Sequence, residues 1–327
     1  MDSRVPLTTE PDNRISLQHA FESTFHQKFE FSDFVHCSLG PELEQFRIRD
    51  RVVYRPSRKY KRYLRFLNSF IFDFASVNSE VAFGYRKGKN SVSALEPHAS
   101  NKYFFLSDID KFFDRASSSN VASIIDTKVS NSPIEDICDY RSRILEMVTK
   151  DDRIPVGYPT SPPISNAHLY EFDNAIQAHC LDHQLIYSRY SDDIIISTDD
   201  KDKLENIEQL VTSCLHEFAG LNFNLNPEKT VTLHRGNKIK VLGLVLLPNG
   251  RITIDRRKKS RFETLFHYYI NDREKYNDCL EAFFRGNVSL VRGQFNHVNS
   301  IEPEYTDKLR RKYGSFVIDY FLNDPAG

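Results

Sequence analysis

Apolar and polar positions alternate along this chain in helical and extended rhythms that change several times. Leu64, Leu67, Ile71 and Phe74 recur at spacings of three and four, which predicts an amphipathic helix over residues 60–74 with Lys61, Arg62 and Arg65 near its start. The stretch VAFGYRKGKNSVSALEPHAS follows, with Gly84 and Gly88 about a turn-like segment. Aromatic-rich YFFL at residues 103–106 predicts a short strand ending in a charged cluster. After PVGYPTSPP, whose prolines suit the approach to a helix, residues 166–179 are expected to be helical. LIYSRY and IIIST, joined through SDD, predict a hairpin with acids at its tip. Ile207, Leu210, Val211, Cys214, Leu215 and Phe218 predict a helix over 206–218. NFNLNPEKT and KVLGLVLLPNGRITI read as extended, the latter with a Pro-Asn-Gly turn, and the chain from Asp255 onward reads as mainly helical. No internal repeat or long linker interrupts this order.

Composition changes the picture little. With 327 residues, 40% hydrophobic and 27% charged, and with 12 Gly and 14 Pro, the chain is of ordinary globular type. Its net charge of −1 gives no global attraction to a polyanion, but residues 47–65 and 251–261 each hold one acid among many bases. Such runs would track a phosphate backbone if they faced one cleft; the plainer alternative is a pair of solvated basic faces. Five scattered cysteines suggest no zinc knuckle and fit a reducing compartment. The N-terminal stretch lacks a secretory apolar run, and no apolar run is long enough to cross a bilayer, so a cytoplasmic protein without a membrane partner is expected.

Candidate chemistry lies in acids at the ends of probable strands. FFLSDIDKFFD supplies Asp108, Asp110 and Asp114, and YSDD supplies Tyr190, Ser191, Asp192 and Asp193. If neighbouring strands bring Asp108 beside the Asp192 hairpin, the carboxylates repel one another, and a dication relieves that penalty. Two such ions about 3.5–4 Å apart can activate an attacking oxygen and stabilise a leaving one. An isolated Asp-Asp pair in a turn is otherwise an ordinary solvated hairpin tip.

In this order and at these intervals, RKGKNSVSALEPHAS, SDIDKFFD, GYPTSPPISNAHLYEFD, YSRYSDDIIIS, LNFNLNPEKT and KVLGLVLLPNGRITI resemble the retron and group II intron branch of reverse transcriptases. The resemblance covers most of residues 85–254. It implies an α+β, right-hand polymerase fold with fingers, a palm of antiparallel sheet and packed helices, and a small helical thumb. The implied division is an N-terminal region and fingers over 1–100, a palm over 101–254 with an inserted fingers segment at about 118–154, and a thumb over 255–327.

By resemblance, Asp108 and Asp192 are the main ligands of two Mg2+ ions, with Mn2+ as a substitute, and Asp193 supports them. Lys229 is similar to the lysine that assists departing pyrophosphate. Phe113 is similar to the aromatic gate under the sugar, where a bulky ring excludes a ribose 2′-hydroxyl; the bland reading is a packed Phe. Ile109, Gly157 and Pro159 fall with it on nucleotide-binding positions, and Arg51, Arg55 and Lys61 are candidates for the fingers residues that meet the triphosphate. Ser161, Asn166 and Tyr190 fall on the primer or template side. His98 is placed there too, with bracing of the palm as the structural alternative. Deoxynucleoside triphosphates, a structured noncoding RNA, the DNA product and a companion defence protein are the implied partners.

The chain also departs from the pattern. Val156 stands where the family often has Gln, and Asp114 where a proline is expected. The Asn-Ala-x-x-His element of retron enzymes is absent between residues 117 and 153, and Val241, Leu242 and Gly243 replace Val-Thr-Gly. These differences move the expectation from a classical retron enzyme, making multicopy single-stranded DNA, toward a stand-alone member serving antiphage defence. An RNA-directed RNA polymerase and an inactive nucleic-acid-binding scaffold are the remaining alternatives; Phe113 argues against the first and the three acids against the second.

Overall fold

The structure is a computed structural model that describes residues 14–48, 51–236 and 238–323. The N-terminal residues 1–13, and Arg49 and Asp50 of the first basic run, lie outside the described residues. The chain opens with α1 (Leu17–Phe25) and α2 (Phe31–His36), then a hairpin of β1 (Leu43–Ile48) and β2 (Arg51–Pro56), then α3 (Arg58–Phe70). The Ser57 hydroxyl accepts from the Tyr60 N–H and starts α3 two residues before the expected point. The apolar rhythm continues past residue 70, but the backbone breaks at Ile71 and ends in a single 3-10 turn. Tyr63 and Phe66 of α3 join Phe21, Phe25 and Phe34 in a cluster of ring contacts.

Next come α4 (Ser91–Leu95), β3 (Tyr103–Asp108), α5 (Phe112–Arg115), α6 (Ser118–Thr127) and α7 (Arg141–Val148). The expected helix over 166–179 is two helices, α8 (Ser161–His168) and α9 (Tyr170–Asp182), broken at Leu169. β4 (Ile186–Tyr190) and β5 (Asp193–Thr198) form the expected hairpin, followed by α10 (Ile207–Cys214), whose last turn widens into a π turn ending at Gly220 (φ 127°). NFNLNPEKT is not a strand: Leu225 alone bridges to Ile109, and β6 (Val231–His234) begins only after the Asn226–Lys229 turn.

These strands form an antiparallel sheet in the order β4-β5-β3-β6. Strand alternation gives each face its own core. Phe105, Ile194 and Ile196 join the cluster of α1, α3, α6 and α7, while Phe104, Leu106 and Ile195 join that of the C-terminal helices. A meander of β7 (Ile239–Val241), β8 (Leu244–Leu246) and β9 (Ile252–Ile254), turned at Gly250 (φ 83°), leads to the helices. These are α11 (Arg256–Asn271), α12 (Arg273–Phe284), α13 (Val288–Ile301), α14 (Pro303–Tyr313) and α15 (Ser315–Leu322). Asp255, Asp272 and Asn287 cap the first three through their side chains. No helix among the described residues is long and apolar enough to cross a membrane.

Candidate active site

Strand register places the acids. Asp108 ends β3 directly opposite Asp193 at the start of β5, and Tyr190 closes the hairpin across from the same residue. Two residues make the turn, with Ser191 left-handed at φ 62°. The Ile109 N–H donates to the Asp192 carbonyl at 3.0 Å, and the Asn226 N–H donates to the Asp108 carbonyl at 2.8 Å, so the backbone fixes the cluster from two sides. Carboxylate oxygens of Asp108, Asp192 and Asp193 lie within 4.8 Å of one another. Burial, together with Asp192 and Asp108, pushes the Asp193 carboxyl up to about 6, and burial raises Asp108 despite Lys229. Lys229 Nζ stands 2.9 Å from Asp108 Oδ1, and that bond holds its ammonium above the usual range. An all-oxygen set of crowded carboxylates is the donor chemistry that suits a hard divalent cation.

The turn rests on a buried ion pair. Arg189, fully buried in β4, is bidentate to fully buried Asp173 of α9 at 2.8 and 2.6 Å. Its remaining nitrogen donates to the Ser191 carbonyl at 2.7 Å and to Asn166 Oδ1 at 3.1 Å. The Tyr187 hydroxyl also donates to Asp173, at 2.7 Å, and Asn166 Nδ2 donates to the Gly84 carbonyl at 2.9 Å. Gly84 packs so tightly on the turn that a Cβ there would overlap the Ser191 backbone. Tyr85, left-handed at φ 61°, has its hydroxyl 2.9 Å from the Ser191 hydroxyl, which donates to it.

A cavity beside Asp192 is lined by Arg51, Val52, Lys111, Phe112, Phe113, Asp114 and Val156. Phe113 is half-buried: it packs on the core and against Phe112 while reaching this cavity. Of the basic candidates only Arg51 lines it. Arg55 lies over the Phe46 ring and pairs with Glu44 at 3.5 Å on the hairpin, and Lys61 projects from the exposed side of α3. Ile109 is buried and its N–H is bound to the turn, so it offers the cavity no free donor. Gly157 (φ 103°) meets the backbone of β2: a Cβ there would overlap the Tyr54 carbonyl, and the Tyr54 N–H donates to Val156 O at 2.9 Å. The Pro159 carbonyl accepts from Asn68 Nδ2 at 2.7 Å.

Several residues assigned to primer or template turn inward. The Ser161 hydroxyl donates to the Pro155 carbonyl at 2.6 Å and closes the loop, and both Asn166 side-chain atoms serve the Arg189 network. His98 is fully buried, with ring nitrogens 2.6 Å from the Ser197 hydroxyl and 2.9 Å from that of Ser188, so it braces the hairpin from behind. Tyr190 stays half-buried at the turn. Sequence reading missed Arg189, Asp173 and Tyr85. The available signal was an Arg inside an otherwise strand-like YSRY, which needs a buried partner if both strand faces are covered.

An antiparallel sheet carrying three convergent acids, flanked by helical layers and a C-terminal helical bundle, is the palm of a nucleotide polymerase. The profile of the family described as "Reverse transcriptase (RNA-dependent DNA polymerase)" matches residues 49–246, more than half of the chain. The chain therefore belongs to the reverse transcriptase family and is an RNA-directed DNA polymerase with the right-hand fold. Its curated relatives place it in the retron type. The retron Ec83 reverse transcriptase of Escherichia coli is 24% identical over 277 residues, covering 82% of this chain and 84% of the relative. The retron Ec86 reverse transcriptase of the same organism is 23% identical over 312 residues, covering 92% and 88%. Among solved structures, telomerase from Candida albicans aligns with a TM-score of 0.42 at 12% identity, over 86% of this chain and 61% of that one.

Proposed function

We propose that this polymerase extends a primer with deoxynucleotides on a structured noncoding RNA, by two-metal phosphoryl transfer, as part of bacterial antiphage defence. The observation that carries the chemistry is the convergence of Asp108, Asp192 and Asp193 within 4.8 Å beside a cavity that Phe113 and Arg51 line. In the reaction the primer 3′-oxygen bonds to the α-phosphorus, its proton passes to solvent, and the bond to the bridging oxygen breaks to release pyrophosphate. Two Mg2+ ions, with Mn2+ as a substitute, would be held by the three acids and would supply an activated hydroxyl and a stabilised leaving group.

The remaining work falls to side chains. Arg51 meets the triphosphate, and half-exposed Lys229 offsets charge building on pyrophosphate from beside Asp108. The Phe113 ring occupies the space of a ribose 2′-hydroxyl. Val156 cannot hydrogen-bond the nucleotide, so selection rests on base pairing and shape. Kinship to retron enzymes supports the RNA partner. The departures at 117–153 and 241–243 favour a stand-alone defence enzyme in the cytoplasm, acting with its DNA product and a companion protein.

Primer extension on an RNA template, with deoxy- and ribonucleotides offered separately, tests the reading. Asp192→Asn is expected to lower kcat by roughly 100-fold or more while leaving the circular dichroism spectrum unchanged. Phe113→Ala is expected to admit ribonucleotides roughly tenfold better. Normal extension by the first variant would remove the acid site from the account, and unchanged sugar selectivity in the second would remove the gate.

A further inference from the structure

Between Asp50 and Asp73 the chain has seven bases and no acid, in a protein whose net charge is −1. The fold sorts these bases by direction. Lys59 turns toward Asp33 and Glu42, at 3.1 and 3.0 Å, and is neutralised. Arg58, Lys61, Arg62 and Arg65 project from the exposed side of α3, and among the described residues no carboxylate pairs with any of them. Arg62 has a ring contact instead, over Phe29 at 5.7 Å. Several surface bases elsewhere are paired, among them Arg141 with Asp126 at 2.6 Å, Arg310 with Asp307 at 2.7 Å and Lys312 with Glu263 at 3.0 Å. The exposed side of α3 thus gathers four bases within eight residues.

Helical spacing sets Arg58, Arg62 and Arg65 on one side over about 10 Å. A groove runs between this side and α1, lined by Lys28, Arg62, Arg65, Phe66 and Phe70, and it shares no residue with the cavity beside Asp192. Like charges gathered this closely repel one another. A phosphodiester backbone relieves that repulsion and gains further from released counterions, and aromatic edges in the groove give sugars or unpaired bases an apolar floor.

We propose that the exposed side of α3, with Lys28 of the adjoining groove, docks the phosphate backbone of a folded RNA outside the catalytic cleft. The inference rests on the reading that this enzyme copies RNA, because RNA is the polymer present before the first nucleotide is joined. A duplex stem, with its doubled density of phosphates, matches a tight patch of cations better than a single strand does.

The test compares the full-length protein with a variant carrying Lys28→Gln, Arg58→Gln, Arg62→Gln and Arg65→Gln. Its probes are a 30-nucleotide RNA stem-loop, the same sequence as DNA, and a short oligo(dT) primer on oligo(rA). The variant is expected to bind the RNA stem-loop at least tenfold more weakly at 0.1 M salt, with a salt slope shallower by about 3, while extending the short primer with unchanged kcat and KM. Circular dichroism and the thermal midpoint check that it folds. Unchanged RNA affinity would overturn the proposal, and so would a loss confined to the DNA stem-loop or an equal loss of short-primer extension. Failure of the wild-type protein to extend any primer would instead overturn the polymerase reading, since the stem-loop measurement stands without it.

Discussion

Arg189 and Asp173 illustrate how charge acts at the scale of single residues in this enzyme. Both are fully buried, and breaking such a pair costs about 3–5 kcal/mol because the survivor keeps an uncompensated charge. Stability alone does not account for the geometry, since the guanidinium also holds the Ser191 carbonyl in the turn between Tyr190 and the acids. Asp173→Asn is expected to lose both stability and activity. The informative variant is Arg189→Met with Asp173→Leu and Tyr187→Phe, which removes both charges of the pair and the hydroxyl they would orphan. It should recover most of the thermal midpoint. Its kcat should nevertheless stay at least tenfold low, with little change in nucleotide KM, because the turn has lost its donor. Wild-type kcat in the stable triple variant would reduce Arg189 to a folding residue.

At the scale of elements, the hairpin of β4 and β5 is held from behind by His98, whose two nitrogens face Ser188 on one strand and Ser197 on the other. Burial lowers its pKa to about 3, and that of His168 to about 4. Each is neutral when folded, whereas in the unfolded chain each takes a proton below about 6.5. Stability from this source is therefore full above pH 6.5 and falls as pH drops toward the folded pKa values, by about 2 kcal/mol for His98 at pH 5. Urea midpoints at pH 7.5 and pH 5 should show a smaller drop for His98→Gln than for the wild type, and equal drops would mean that His98 titrates normally.

The same hairpin shows which elements the sequence made legible. Tyr190 to Asp193 could be read because strand alternation and a polar two-residue tip are local signals, and the register with β3 then follows from adjacency. The break between α8 and α9 at Leu169 could not, because no Pro or Gly marks it and the apolar rhythm runs through. The β1–β2 hairpin was hidden as well, since most of its side chains are partly or fully exposed and its charges mask the alternation. His98 and Asn166 were placed beside primer or template by resemblance alone, with bracing of the palm as the alternative for His98. Their partners lie on segments 99 and 82 positions distant, respectively, where sequence spacing carries no information.

Over the whole molecule, the palm sheet is the joint between two cores, and the C-terminal helices meet the palm through the β7–β9 meander as well. Glu302, nearly buried at the junction of α13 and α14, fastens that connection. It accepts from Thr253 Oγ1 at 2.9 Å and from the Ile254 N–H at 3.4 Å, while Lys259 of α11 lies 2.7 Å and Arg251 3.3 Å away. Burial pushes its carboxyl up, but Lys259 and Thr253 outweigh that and hold it below the ordinary glutamate range. Its contribution to stability is accordingly present above the unfolded pKa and lost as pH falls through the folded one. Glu302→Gln keeps the shape but leaves Lys259 without a counter-charge, so the fold should lose about 2 kcal/mol, discounted from the fully buried case because Lys259 keeps some solvent. If the C-terminal helices grip the product duplex, the variant should add the first nucleotide at nearly the wild-type rate yet release its primer earlier. Product-length distributions under single-encounter conditions decide the matter: shortened products with an intact first addition identify Glu302 as the thumb's anchor, and a uniform slowing of every addition places its effect in the palm instead.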